Sequence, residues 1–123
     1  MEVGNSRADR LIHTALGALA LRQRVIADNV ANVSTPGFKA SRVDFEASLK
    51  AAVVRGAPAP GGIDEVRPQV VTSTSTSRGV DGNNVDIDQQ MVDLAQTNIT
   101  YNALAQVTSA RLRTLRSVIT GSR

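Results

Sequence analysis

Val25-Ile26-Ala27-Asp28-Asn29-Val30-Ala31-Asn32-Val33-Ser34-Thr35-Pro36-Gly37-Phe38-Lys39 holds the end of one helix and the turn that redirects the chain after it. The first half has apolar residues at helical spacing, and the second half stops a helix abruptly. Pro36 drives Thr35 out of the helical region, and Gly37 supplies the positive φ that a Pro-Gly type II turn requires. Asn29 and Asn32 lie three residues apart and so share one helix face just before the turn. Amides are weak helix formers, and each brings two donors and two acceptor sites to a face that is otherwise apolar. A frayed helix end with solvated asparagines has the same sequence, so these residues read in two ways.

Upstream, the pattern predicts a helix over about residues 6 to 33, with Ser6 or Asn5 as N-cap and Asp9 well placed in the first turn. Ile12, Leu16, Leu19, Gln23, Ile26, Val30 and Val33 follow alternating steps of four and three, a coiled-coil seam broken once by Gln23. Leu11, Ala15, Ala18 and Val25 form a thinner second stripe, which calls for a second partner and is expected to be covered by neighbouring subunits.

Downstream, residues 42–54 read as a short amphipathic helix with Phe45, Leu49, Ala52 and Val53 on one side. Residues 55–62 are a linker by composition. The polar stretch from 63 to 84 reads as an extended loop, with a weak β-hairpin through Val70 and Val71 as its one structured candidate. A last helix begins near Asp86, where Asp86 and Gln89 form a capping-box pattern and Gln90 occupies the position a hydrophobic staple would use. Its seam reads Ile87, Met91, Leu94, Asn98, Tyr101, Ala105, Thr108, Leu112, Leu115 and Ile119, with Asn98 and Thr108 as polar positions that set register at a cost in stability. The expected fold is mainly α: two long coiled-coil-like terminal helices joined by a short helix and a polar loop. Residues 1–54 and 85–123 would form the paired-helix domain and 55–84 its linker and variable loop.

Composition excludes several function classes. There is no cysteine, so neither disulfides nor thiolate metal sites can form. Lys plus Arg is 14 against 11 Asp plus Glu, and a net charge of +3 this dispersed does not point to nucleic acid. The arginines crowded at the C-terminus suit the negative dipole end of a helix. His13 is the single histidine, without an acidic or cysteine neighbour at ligand spacing, and no nucleophile-elbow pattern accompanies any serine. Asp81, Asn83, Asp86 and Asp88 do not make an EF-hand, which needs Gly and Glu where this chain has Asp86 and Val92. The polar face of the first helix mixes both charge signs, arguing for protein partners over direct lipid binding. No catalytic residue, cofactor, metal or small-molecule substrate is expected. The run from Ala15 to Leu21 is too short for a membrane span, and no cleavable signal peptide is visible.

Residues 26–38, Ile-Ala-Asp-Asn-Val-Ala-Asn-Val-Ser-Thr-Pro-Gly-Phe, resemble the N-terminal signature of the bacterial flagellar axial proteins, the rod and hook subunits and their relatives beyond the hook. Asp81-Gly82-Asn83-Asn84-Val85-Asp86-Ile87-Asp88, with the helix through Tyr101 to Ile119, is similar to the C-terminal region of basal-body rod proteins, those of the proximal rod above all. The resemblance covers roughly the first 50 and last 43 residues. It implies a structural rod subunit of the flagellar basal body that crosses the periplasm, transmits torque for motility and is exported without a cleaved signal. Its implied partners are further copies of itself, other rod proteins and the adaptor between rod and export gate. Asn29, Asn32, Pro36, Gly37, Phe38, Asp81, Gly82 and Asn83 would be its assembly motif. A cytoplasmic helical adaptor or flagellar secretion chaperone would share the amphipathic helices but would not need the asparagine-rich helix end.

Overall fold

The computed structural model describes residues 6–54, 66–76 and 79–121. In chain order its elements are α1 (Arg7–Ala31), β1 (Ser41–Asp44), α2 (Glu46–Val54), β2 (Gln69–Thr72) and α3 (Ile87–Gly121). The fold is mainly helical, as expected, with two long terminal helices, one short helix and a small antiparallel sheet.

Both long helices begin on side-chain caps. The Ser6 hydroxyl accepts from the Asp9 amide at 3.2 Å and donates to the Asp9 carboxylate at 2.6 Å, so two groups of the first turn are satisfied reciprocally. At α3 the Asp86 carboxylate accepts from the backbone N–H groups of Asp88 and Gln89 at 3.1 and 3.3 Å. The Gln89 side chain does not return to close a capping box. It reaches forward to Asp93 at 2.8 Å.

α1 and α3 lie antiparallel, their register marked by three contacts along their length. Arg111 pairs with Asp9 at 3.5 Å, Gln23 donates to Asn98 at 2.7 Å, and Asn29 donates to Gln90 at 2.8 Å. Gln23, the polar break in the first predicted seam, meets Asn98, one of two polar positions in the second.

Two expectations need correction. Residues 42–54 are not one helix, because Ser41–Asp44 is extended and the helix starts at Glu46. Val43 and Phe45 are buried while Arg42 and Asp44 face outward, an alternation of two that only a strand delivers. The partner strand is β2, around Val70 and Val71, in antiparallel register Ser41 to Thr72 and Asp44 to Gln69. The second correction concerns the stripe on α1 assigned to neighbouring subunits. Ala15 and Ala18 are buried within this chain, in one cluster with Leu19, Val43 and Phe45. Small residues there let the β1 segment approach the helix closely. α1 thus has its two partners, α3 and β1, inside one subunit.

The core is built from both sides of α1. Leu21, Val25, Leu49, Tyr101 and Leu104 pack around the central cluster, half-buried. Arg22 spans its edge, bonding Glu46 at 2.6 Å and the Val43 carbonyl at 2.6 Å while lying 4.9 Å from the Phe45 ring centre.

Candidate functional site

The buried polar chemistry of this chain is mostly side-chain amide and backbone, so the site is built from those groups. α1 ends at Ala31, two residues sooner than the apolar pattern, with Asn32 as its C-cap. The Asn32 side chain donates back to the Asp28 carbonyl at 2.8 Å and accepts from the Thr35 hydroxyl at 3.1 Å. The turn then forms as the dipeptide dictates: Gly37 has φ 72°, and the Phe38 amide donates to Thr35 O at 3.3 Å.

Onto this turn folds the segment ahead of α3. The Gly37 amide donates to the Asp81 carbonyl at 2.8 Å, and Lys39 Nζ reaches the Gly82 carbonyl at 2.7 Å. Gly82 has φ 82°, and a Cβ placed there would lie 3.5 Å from the Cα of Gly37. Asn83, 7% exposed, donates its amide to both Asn32 O at 2.9 Å and Thr35 O at 2.8 Å. Each of those carbonyls also accepts a turn amide, Asn32 O from Thr35 N at 3.0 Å and Thr35 O from Phe38 N at 3.3 Å, so Asn83 fills their second acceptor positions. The Asn83 Oδ1 meanwhile accepts from its own Val85 N–H at 2.8 Å, and the Asp81 carboxylate accepts from Asn83 N at 3.2 Å. Asn84 extends the junction, its Oδ1 accepting from Ala40 N at 2.7 Å and its backbone N–H donating to Phe38 O at 3.3 Å.

Asn29 fixes the other end. It is fully buried, with 0% exposure. Its Oδ1 accepts from Ser41 N at 2.9 Å, and its Nδ2 donates to Ser41 O at 2.7 Å and to Gln90 Oε1 at 2.8 Å. One side chain therefore mimics a neighbouring strand for β1 and also grips α3. No buried side-chain nitrogen or oxygen lacks a hydrogen-bond partner among the described residues.

The eight predicted motif residues thus come together: Asn29, Asn32, Pro36, Gly37 and Phe38 on one side, Asp81, Gly82 and Asn83 on the other. Pro36 is exposed and acts through the turn alone. Sequence reasoning missed Ser41, Asn84 and Gln90 as members. The adjacent amides Asn83-Asn84 were a usable signal, whereas Gln90 was read as a missing staple.

The helix seams fall less neatly. Leu19 and Ile26 are buried, and Ile12, Leu16, Val30, Leu94, Tyr101 and Leu115 are half-buried. Met91, Leu112 and Ile119 are 43%, 61% and 70% exposed. The side of α3 turned to α1 is instead offset by one residue, with Gln90 and Thr97 as its buried positions.

Chemically the junction can hold two chain segments in one geometry and little else. Its amides and carbonyls neither titrate nor attack in the ordinary pH range. The two carboxyls held below their ordinary range lie elsewhere. Asp9 titrates below the usual carboxylate range because Ser6 donates to it, with Arg111 assisting against burial. At Glu46 burial works upward, but the hydrogen bond and charge of Arg22 together with the backbone N–H groups of Glu46 and Phe45 outweigh it and hold the carboxyl low.

A family model described as flagella basal body rod protein matches residues 13–39, the stretch from the middle of α1 through the Pro-Gly turn. The chain is 32% identical over 119 residues to the flagellar basal body rod protein FlgB of Bacillus subtilis (strain 168), covering 91% of this chain and 92% of that protein. It is 36% identical over 126 residues to FlgB of Borrelia hermsii, covering 89% and 93%. Against FlgB of Salmonella typhimurium the identity is 30% over 127 residues, covering 91% and 92%.

Proposed function

This chain belongs to the FlgB family of flagellar basal body rod proteins, and from that premise we propose that it is a subunit of the proximal rod, built to carry load rather than to perform chemistry. Its near end-to-end match to FlgB relatives carries the reading. The junction supports it mechanically. A subunit that transmits torque must not let its two long helices slide past each other. Here Asn83 and Asn84, just ahead of α3, are tied to backbone groups of the turn after α1, which cannot change rotamer, and Asn29 adds a buried side-chain bond from α1 to Gln90 on α3.

The partners that fit are further copies of this chain, other rod proteins, and the adaptor between the rod and the export gate. The rod crosses the periplasm, so the subunit travels through the flagellar export channel without a cleaved signal. Among the described residues no helix is long and apolar enough to cross a membrane. Asn29, Asn32, Pro36, Gly37 and Phe38 with Asp81, Gly82 and Asn83 act as the assembly motif by presetting the direction in which β1 and α2 leave the helix pair.

The test is deletion of the gene in its own bacterium, followed by complementation with an epitope-tagged copy. Loss of swimming, its recovery on complementation, and the tagged chain in purified basal bodies are expected. Normal rods and swimming in the deletion strain would overturn the proposal.

A further inference from the structure

Between α3 and the β1–α2 segment, with α1 as its floor, runs an open cleft of about 570 Å³. Leu19, Val25, Phe45 and Leu104 make it apolar, and Asp93, Gln96 and Thr100 form its α3 lip. It follows α3 from Gln90 to Leu104, about 21 Å at the rise of an α-helix, which leaves room for a helical segment of ten residues, about 15 Å long. The opposite lip is internally neutralised, Arg22 on Glu46 at 2.6 Å and Arg42 on Asp44 at 3.2 Å. Asp93 is different: among the described residues its carboxylate is met by the neutral amide of Gln89 and by no cation.

The same helix ends in a segment of complementary character. Beyond the Arg111–Asp9 pair, α3 continues to Gly121. Leu112, Leu115 and Arg116 stand at i, i+3 and i+4 and share one face. Leu112 is 61% exposed, and Arg113 and Arg116 are exposed without a carboxylate partner among the described residues.

We propose that the cleft receives residues 112–121 of α3 from a second copy of this chain, with Leu112 and Leu115 on its apolar floor and Arg116 against Asp93. Self-occupancy is impossible, because donor and acceptor lie on one continuous helix that cannot fold back on itself. A contact of this kind joins two different patches, so it propagates head to tail and generates a ring or a helical array. The inference rests on the reading of the chain as a rod subunit that meets copies of itself, and it assigns the surface by which it does so.

The chain has no cysteine, which makes disulfide trapping clean. Cells carrying the double variant Thr100→Cys/Leu112→Cys as their sole copy would be scored for swimming, their basal bodies isolated, oxidised and run without reductant. The two sulfurs, about 18 Å apart along one helix, cannot bridge within a chain, since a disulfide needs Cα atoms within roughly 7 Å. Covalent species larger than dimer are expected, and at most dimers from either single variant. Gln96→Cys/Arg113→Cys, at exposed positions on lip and helix end, provides an independent pair. In the Cys pair background, Arg116→Glu should lower the cross-linked yield several-fold, and adding Asp93→Arg should restore it. Monomer alone from both pairs, in rods of swimming cells that contain the chain, overturns the cleft assignment and leaves rod membership standing. A chain absent from the rods of swimming cells overturns the rod reading, and this inference with it.

Discussion

Asn29 on α1 donates its amide to Gln90 on α3 at 2.8 Å while pairing with both backbone groups of Ser41, all in a fully buried position. Three elements therefore converge on one side chain. Replacing Asn29 by Leu raises helix propensity and apolar content, so a merely solvated helix end would be unchanged or stabilised. In this structure it strands the Ser41 N–H and C=O and the Gln90 oxygen. Each buried orphan costs about 1–3 kcal/mol. The expected outcome is destabilisation on the order of 3 kcal/mol, read by urea denaturation of the purified protein. Asn32→Leu should cost much less, because Asn32 is half-exposed and bonds locally.

That contrast also marks where sequence reading runs out. Helical periodicity, Ser6, Asp86 and Pro36-Gly37 place both long helices and the turn, because caps and Pro-Gly act through local backbone physics. The inner side of α3 was not legible in the same way. Periodicity counts apolar residues, and α3 has them on several sides: Val92, Ile99 and Leu112 are all exposed. The buried positions Gln90 and Thr97 are polar, and each is satisfied by a bond that spacing cannot foretell, to Asn29 and to the Asp93 carbonyl at 2.6 Å. β1 was missed for a related reason. Phe45, Leu49, Ala52 and Val53 imitate a helix face running through 42–54, and the extended geometry of β1 is fixed from outside, by Asn29 and β2.

Gly82 and Gly37 give a second prediction. A Cβ at Gly82 would make an ordinary contact with Gly37, so its cost is conformational, not steric. With φ 82°, Gly82→Ala should lose about 1–2 kcal/mol, Gly82→Val more, and Gly82→Asn least, since Asn tolerates positive φ. Thermal melts of the three variants check the order. Equal losses for Asn and Val would contradict it.

Acid should loosen the start of α1 and the β1–α2 corner before the amide junction. The carboxyls of Asp9 and Glu46 are both held low in the folded chain, Asp9 chiefly by Ser6, and Glu46, against its burial, by Arg22 together with the backbone N–H groups of Phe45 and Glu46. The unfolded state then binds more protons in the acid range, so their contribution is present above the ordinary carboxylate pKa and is lost as pH falls through the folded value. Melting temperature should fall between about pH 5 and about pH 3. Asp9→Asn and Glu46→Gln should each flatten that slope, whereas Asn83→Ala should lower stability equally at every pH. A slope unchanged by either carboxamide variant would count against these pairings.

The contact between Gln23 and Asn98 supplies the last prediction. Gln23 is the polar break in its seam and Asn98 one of two in its own, beside Thr108, and their bond at 2.7 Å is exposed, so its net contribution is small, about 0.5–1.5 kcal/mol. Its larger effect is on register. A seam that is apolar throughout can slide by a heptad with little loss, whereas two amides that must meet choose one alignment. Changing both residues to Leu should therefore leave stability equal or higher while loosening the alignment of α1 on α3. The two single variants each leave an amide facing a leucine and should be less stable than the double variant. A double-mutant cycle measures the coupling. Register is read separately by spin labels near Leu16 and Leu104, whose distance distribution should be single in the native chain and broadened in the double variant. An unbroadened distribution would assign the register to Asn29 and Gln90 alone.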